Sequence, residues 1–153
     1  IFKEPQPLLS DYPMIRGVDG KKMSKSYDNT IQIGENGEDL KRKIMSMYTD
    51  PNKIRVNDKG NPDGCVVFSF HRIYNEDWEE REHECREGKI GCVSCKTNLF
   101  DILNRVMKEI DEKRAYYLSN RKLVEEIIAN GNNEASKVAT KKFEMVMKEV
   151  RLR

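Results

Sequence analysis

Three lysines, two serines and two glycines crowd into "GVDGKKMSKSYDN" at positions 17–29. Lys22 and Lys25 stand three apart, Ser24 and Ser26 lie beside them, and Met23 is the apolar member of the KMSKS core. The stretch is too polar for a core strand and too flexible for a good helix, so it reads as an exposed loop. Ammonium groups on flexible stems act as movable point charges, and clustered N–H and O–H donors suit phosphate oxygens. Gly17 and Gly20 would let such a loop swing over a nucleotide and away again. The chemistry implied is stabilisation of negative charge on a departing pyrophosphate. The bland alternative is a solvated surface loop. A P-loop is excluded, because no glycine precedes Gly20 by five positions and the order of lysine and serine differs.

A second set of chemically capable residues is Cys65, Cys85, Cys92 and Cys95, with 19, 6 and 2 residues between them. Cys92-x-x-Cys95 follows Gly91 in "KIGCVSCK", which reads as a compact loop turning both sulfurs toward one ion or cluster. Scattered buried thiols are the plain reading, and the tight pair with a third cysteine so near argues against it. Disulfides need an oxidising compartment to which nothing else in the chain points. Structural zinc and a [4Fe–4S] cluster both take four cysteine thiolates, and spacing alone does not separate them. His83 is a conceivable substitute ligand for zinc. The segment around these residues is acidic and poor in apolar side chains, so ligation would supply stability that it lacks.

These groups must be positioned by a chain of 153 residues with 35% charged and 37% hydrophobic residues and a net charge of +2. Such a composition allows one modest core and excludes a uniformly basic nucleic-acid binder. No apolar run approaches bilayer length and no signal peptide opens the chain. The chain begins at Ile1 rather than Met, and the expectation is a cytoplasmic protein that is a piece of a longer one.

Residues 1–37 read as loop, with Pro5, Pro7, Pro13 and a short β-like "TIQI" at 30–33. Helical spacing begins after Glu38: Leu40, Ile44, Met47 and Tyr48 share a face, and "TDP" at 49–51 ends it. "CVVFSFHRIY" has the β-branched and aromatic composition of a strand, and its helical neighbours make a short helix the expectation. Leu99, Leu103, Val106 and Ile110 stripe the next helix. Asn120 is the expected N-cap and Gly131 the expected stop of another, and Val138, Ala139, Phe143, Val146, Met147 and Val150 stripe a last one. These stripes are expected to pack as core. The last helix is locally basic through Lys137, Lys141, Lys142, Lys148, Arg151 and Arg153, a face suited to phosphate backbones or simply to solvent. Trp78 is expected to anchor the acidic segment rather than to stack on a base.

Lys22-Met23-Ser24-Lys25-Ser26 reproduces the signature of the class I aminoacyl-tRNA synthetases. "EPQPLLSDYPMIRGVDGKKMSKSYDNTI", "YTDP", "GNPDGCVVFSFHRIY" and the closing "KRAYYLSNRKLVEEIIANGNNEASKVATKKFEMVMKEV" resemble the tryptophanyl-tRNA synthetase family along essentially the whole chain. The resemblance implies a mainly α fold, a helical-bundle C-terminal domain preceded by the loop-rich end of a Rossmann-type catalytic domain. The division implied is residues 1–37 for the catalytic end and 38–153 for an anticodon-binding domain, with a four-cysteine insert at 65–96.

Position by position, the resemblance gives Lys22 and Lys25 to the ATP phosphates, assisted by Met23, Ser24 and Ser26 of the same loop. It implies activation of tryptophan with Mg-ATP, transfer to tRNA(Trp), and a parent enzyme that works as a homodimer with no membrane role. His71 and His83 do not form the family's other nucleotide motif, which lies upstream with the amino-acid pocket. This chain alone is therefore expected to be inactive. Because a subset of bacterial members carries a [4Fe–4S] cluster on a similar cysteine pattern, the resemblance weights Cys65, Cys85, Cys92 and Cys95 toward that cluster, with Zn2+ as the alternative. A tyrosyl-tRNA synthetase fragment and a non-catalytic metal-binding RNA module are the rival readings.

Overall fold

Leu40 and Ile44 are completely buried, which fixes how the first helix, α1 (Gly37–Ser46), lies on the rest of the chain. The computed structural model describes residues 1–150. It holds four further helices: α2 (Val66–Tyr74), α3 (Trp78–Arg86), α4 (Cys92–Ser119) and α5 (Arg121–Glu149), with single 3-10 turns at Lys25–Tyr27 and Pro62–Gly64. Among the described residues there is no strand, only an isolated antiparallel bridge between Arg16 and Lys22. The fold is thus mainly α, as the sequence leads one to expect.

The chain forms two units, Leu9–Asp111 on one hand and Ile1–Leu8 with Glu112–Arg153 on the other. In the first unit one core unites Leu40, Ile44 and Met47 with Val66, Val67 and Phe70 of α2 and Leu99, Leu103 and Met107 of α4. Each of these buried apolar side chains contributes about 1.5–3 kcal/mol relative to exposure. Ile15, Val18, Met23 and Ile31 pack against the same core, so the loop-rich start is fastened to the helices. Backbone bonds complete the link: Tyr48 N donates to Val18 O at 2.8 Å and Val66 N to Tyr48 O at 3.1 Å.

The helix α3 has no buried residue and is held from outside. Trp78 meets Phe68 edge-on with ring centroids 6.4 Å apart, and the Arg72 guanidinium lies over both rings. Trp78 is therefore the anchor of the acidic segment. Arg72 and Arg86 pair with Asp63 and Glu82 around it. The Arg86 guanidinium holds the Asp63 carboxyl below the ordinary carboxylate range. Such exposed pairs contribute little individually and act here as a network.

In the second unit Lys142 Nζ donates to Ile1 O at 3.3 Å and lies over the Phe2 ring. No residue of α5 is buried.

Several expectations are corrected. "TIQI" forms no strand, because no partner strand exists among the described residues. "KIGCVSCK" is not a loop throughout: Cys92 and Cys95 occupy the first turn of α4, where a spacing of three places them on one face. Gly131 stops nothing. The α5 helix runs through it without a break, so the region after position 92 holds two long helices rather than three. Lone glycine costs about 1 kcal/mol in a helix, and the turns on either side outweigh it. The α5 stripe is not core, since Val138 is 71% and Phe143 62% exposed. Tyr48 is exposed as well, because α1 ends at Ser46 and turns it off the helical face. Asn120 does precede α5, but its side chain donates back to Tyr116 O instead of accepting from the new helix. Arg151 and Arg153 lie outside the described residues.

Candidate functional site

The lysine–serine loop is built on a small hydrogen-bonded frame. Gly17 N donates to Lys21 O at 2.8 Å, Gly20 N to Gly17 O at 2.9 Å and Met23 N to Ile15 O at 3.3 Å. Asn29 sits at the centre, only 2% exposed. Its Oδ1 accepts from Ser24 N at 2.8 Å, and its Nδ2 donates to Asp19 Oδ1 at 2.8 Å and to Lys22 O at 3.1 Å. Its carbonyl accepts from Val18 N at 3.0 Å. Three polar atoms of the loop thus converge on one buried side-chain amide, and a fourth holds its backbone. Such a fully satisfied network specifies one conformation. Asp19 also accepts from Lys21 N at 3.0 Å. The Asn29 amide chiefly, with Lys21 beside it, holds the Asp19 carboxyl below the ordinary carboxylate range.

The frame leaves the chemically useful groups outside. Lys22 and Lys25 are exposed, and among the described residues neither enters an ion pair. Ser24 Oγ and Ser26 Oγ lie 2.8 Å apart, sharing one hydrogen bond. Met23 is half-buried and faces the core cluster rather than the lysines' solvent side. Two free ammonium groups and a hydroxyl pair on an anchored turn can meet the oxygens of a phosphate chain.

The four cysteines come together. Cys65 precedes α2, Cys85 lies in the last turn of α3, and Cys92 and Cys95 lie in the first turn of α4. All four are free thiols lining one cavity of about 20 Å³, room for about one water molecule. Val67, Phe68 and Ile90 supply apolar wall and Lys53 the cationic part. His83 is exposed and does not line the cavity. Among the described residues no group of three or more His, Cys, Asp or Glu side chains is arranged to hold a single metal ion.

Burial dominates the thiols' acidity. It pushes Cys95 up to about 12 and raises Cys65 and Cys85, with repulsion among the neighbouring cysteines adding to the effect. Without an ion Cys65, Cys85 and Cys95 stay protonated. Gly60 is required beside them: its N–H donates to Cys85 O at 2.9 Å, and an added Cβ would stand 2.6 Å from Cys85 Sγ. His71, completely buried, takes a bond from Asn75 Nδ2 at Nδ1 and lies 3.2 Å through Nε2 from Cys95 O. Burial lowers it to about 4, so it is a neutral strut.

Sequence reasoning missed Asn29, Asp19 and Lys53. Asn29 is the last residue of the stretch, and a polar residue closing a glycine–lysine turn was the available signal. Lys53 carried none, being one cation among 28.

Residues 1–108 match the family described as tRNA synthetases class I (W and Y). The tryptophan–tRNA ligase of Aquifex aeolicus is 40% identical over 99% of this chain, which spans 39% of that protein. That of Thermotoga maritima is 35% identical over 99% of this chain and 47% of its own length. Among solved structures, tryptophanyl-tRNA synthetase from Campylobacter jejuni complexed with ADP and tryptophan superposes with a TM-score of 0.75 at 29% identity, covering 91% of this chain and 44% of that one. This chain therefore spans less than half of the relatives it matches. Its KMSKS loop, its helical fold and the family match along more than two thirds of its length agree, and the chain belongs to the class I tRNA synthetases of the W and Y type.

Proposed function

We propose that this chain is the C-terminal part of a cytoplasmic tryptophan–tRNA ligase that joins tryptophan to tRNA(Trp) with Mg-ATP and acts as a homodimer. Residues 1–37 would complete the catalytic domain, and residues 38–153 would form the helical tRNA-binding part. The observation that carries the reading is the KMSKS loop, with free lysines outward on a buried amide frame, in a chain 40% identical to a tryptophan–tRNA ligase over nearly all its length. In this mechanism Lys22 and Lys25 follow the β- and γ-phosphates as charge builds on the leaving pyrophosphate, and Ser24 and Ser26 donate to the same oxygens. Among the described residues no helix is long and apolar enough to cross a membrane. The amino-acid assignment is tested by ATP–pyrophosphate exchange in the parent protein. Exchange that depends on tryptophan supports it, and exchange that depends on tyrosine contradicts it.

The four thiols, on this reading, hold a [4Fe–4S] cluster. The donor set fits: four cysteines and no carboxylate line one cavity. Around Zn2+, Zn–S bonds of about 2.3 Å bring four sulfurs to within about 3.8 Å of one another. A cluster gives each thiolate its own iron, so the sulfurs stand wider apart. One Cys-x-x-Cys pair joined by two single cysteines, where zinc sites more often come as two such pairs, weights the reading toward the cluster. When bound it would cross-link the starts of α2 and α4 to the end of α3. That supplies the stability which α3 does not draw from burial.

A further inference from the structure

The cavity that gathers the thiols has a lysine built into its wall. Lys53 is 8% exposed and lines it together with all four cysteines. Its Nζ donates to Val56 O at 3.0 Å and to Asp58 O, both neutral carbonyls. The two carboxylates nearest in sequence are engaged elsewhere: Asp58 Oδ2 accepts from Ile54 N at 3.0 Å and Arg55 N at 2.6 Å, and Asp50 accepts from Asn52 N at 2.9 Å and Asn61 N at 2.7 Å. A Cβ on Gly60 would touch both Lys53 Cδ, at 3.0 Å, and Cys85 Sγ, at 2.6 Å, so the lysine stem and that sulfur flank the same point.

Lys96, next to Cys95, repeats the pattern: half-buried, its Nζ donates only to the carbonyl of Met45 at 2.7 Å. Among the described residues neither ammonium pairs with a carboxylate. A buried charge held by carbonyl dipoles alone is costly.

An anion arriving in the cavity resolves this. Four thiolates on a divalent ion or a doubly positive cluster leave a net charge of about −2. Resting on the four-cysteine reading above, we propose that Lys53, with Lys96, is the built-in counter-charge of an anionic metal–thiolate centre. Lys53 is a positioning residue: it fixes the 53–58 loop through two carbonyls and sets its ammonium against the centre.

The test uses the full chain, reconstituted anaerobically with ferrous iron and sulfide, and separately titrated with Co2+. Lys53→Met keeps the length and apolar stem of the side chain and removes its charge. The expected result is about tenfold faster loss of metal to a chelator, and, for a cluster, a midpoint potential more negative than wild type, because reduction adds charge beside a missing cation. Lys96→Met should move both readouts the same way. A Lys53→Met protein that keeps its metal and its potential overturns the proposal and leaves Lys53 a loop clamp. Should that variant not fold, unchanged retention and potential in Lys96→Met overturn it instead. Wild-type protein that takes up neither iron with sulfide nor Co2+ overturns the four-cysteine reading itself, a result distinct from either variant's.

Discussion

A side-chain carbon on Gly17 would stand 2.3 Å from both Cγ and Nδ2 of Asn29. Bare backbone at position 17 is what admits the Asn29 amide to the base of the lysine loop. Those two residues, twelve apart in sequence, decide whether Lys22 and Lys25 stand on a fixed platform or a floppy one.

Gly17→Ala should therefore expel Asn29. Overpacking of this kind costs about 1–3 kcal/mol. Thermal unfolding should show that loss, and amide exchange should accelerate at residues 18 and 24, whose N–H groups Asn29 accepts.

Asn29→Ala removes the hub without the clash. Ser24 N loses its acceptor and Lys22 O a donor, at a cost of about 1–3 kcal/mol for buried groups left unpaired. In the parent protein the KM for ATP should rise while tryptophan binding is unchanged. Wild-type kinetics would show that the frame does not serve the lysines.

The Asp19 carboxyl is held below its ordinary value of 3.8 by Asn29. A depressed carboxylate stabilises the fold above its unfolded pKa, and that contribution is lost as pH falls through the folded one. The Asn29 side-chain amide resonances should hold steady from neutral pH to about 4, and move only below it. Asp19→Asn should abolish the acid transition.

No α5 residue is buried, and Phe143 is 62% exposed. Phe143→Ser should shift the stability of this chain by less than about 0.5 kcal/mol in urea titration. A larger loss would mean that α5 packs in solution.

Metal should matter to α3 before it matters to chemistry. In the parent protein, Cys92→Ser should weaken tRNA binding and leave adenylation unchanged. Normal charging by that variant would contradict the structural role given to the cysteine site. Iron and acid-labile sulfide near four each per chain, with a brown colour bleached by dithionite, are expected of anaerobically purified protein.

Much of this was legible in the residues, and the failures have physical causes. The lysine loop and the cysteine quartet stand out by residue type and spacing, and the structure exposes the lysines of the one and gathers the thiols of the other around one cavity. Helix α1 was legible because buried Leu40 and Ile44 print their period on the sequence, whereas the β-branched and aromatic composition of α2 suits a strand as well and only its helical neighbours pointed to a helix. The helix α5 misled: its apolar stripe has the period of a buried face, and Gly131 looked like a stop, but neither burial nor termination follows. Cys92 and Cys95 on a helical turn could not be told from a loop, since i and i+3 face together in both. Asn29 and Lys53 were invisible for a different reason. Their roles depend on burial against distant backbone, such as Gly17 or the 56–58 carbonyls, which no local pattern records.

The measurement that bears most directly on the whole reading is tryptophan-dependent ATP–pyrophosphate exchange by the parent protein with Lys25→Ala. Lys25 is exposed and supports no contact of the frame, so the fold should be unaffected. A fall in kcat of about 10²–10³, with tryptophan binding intact, is the predicted result. Exchange at the wild-type rate would contradict the assignment of this loop to the phosphates.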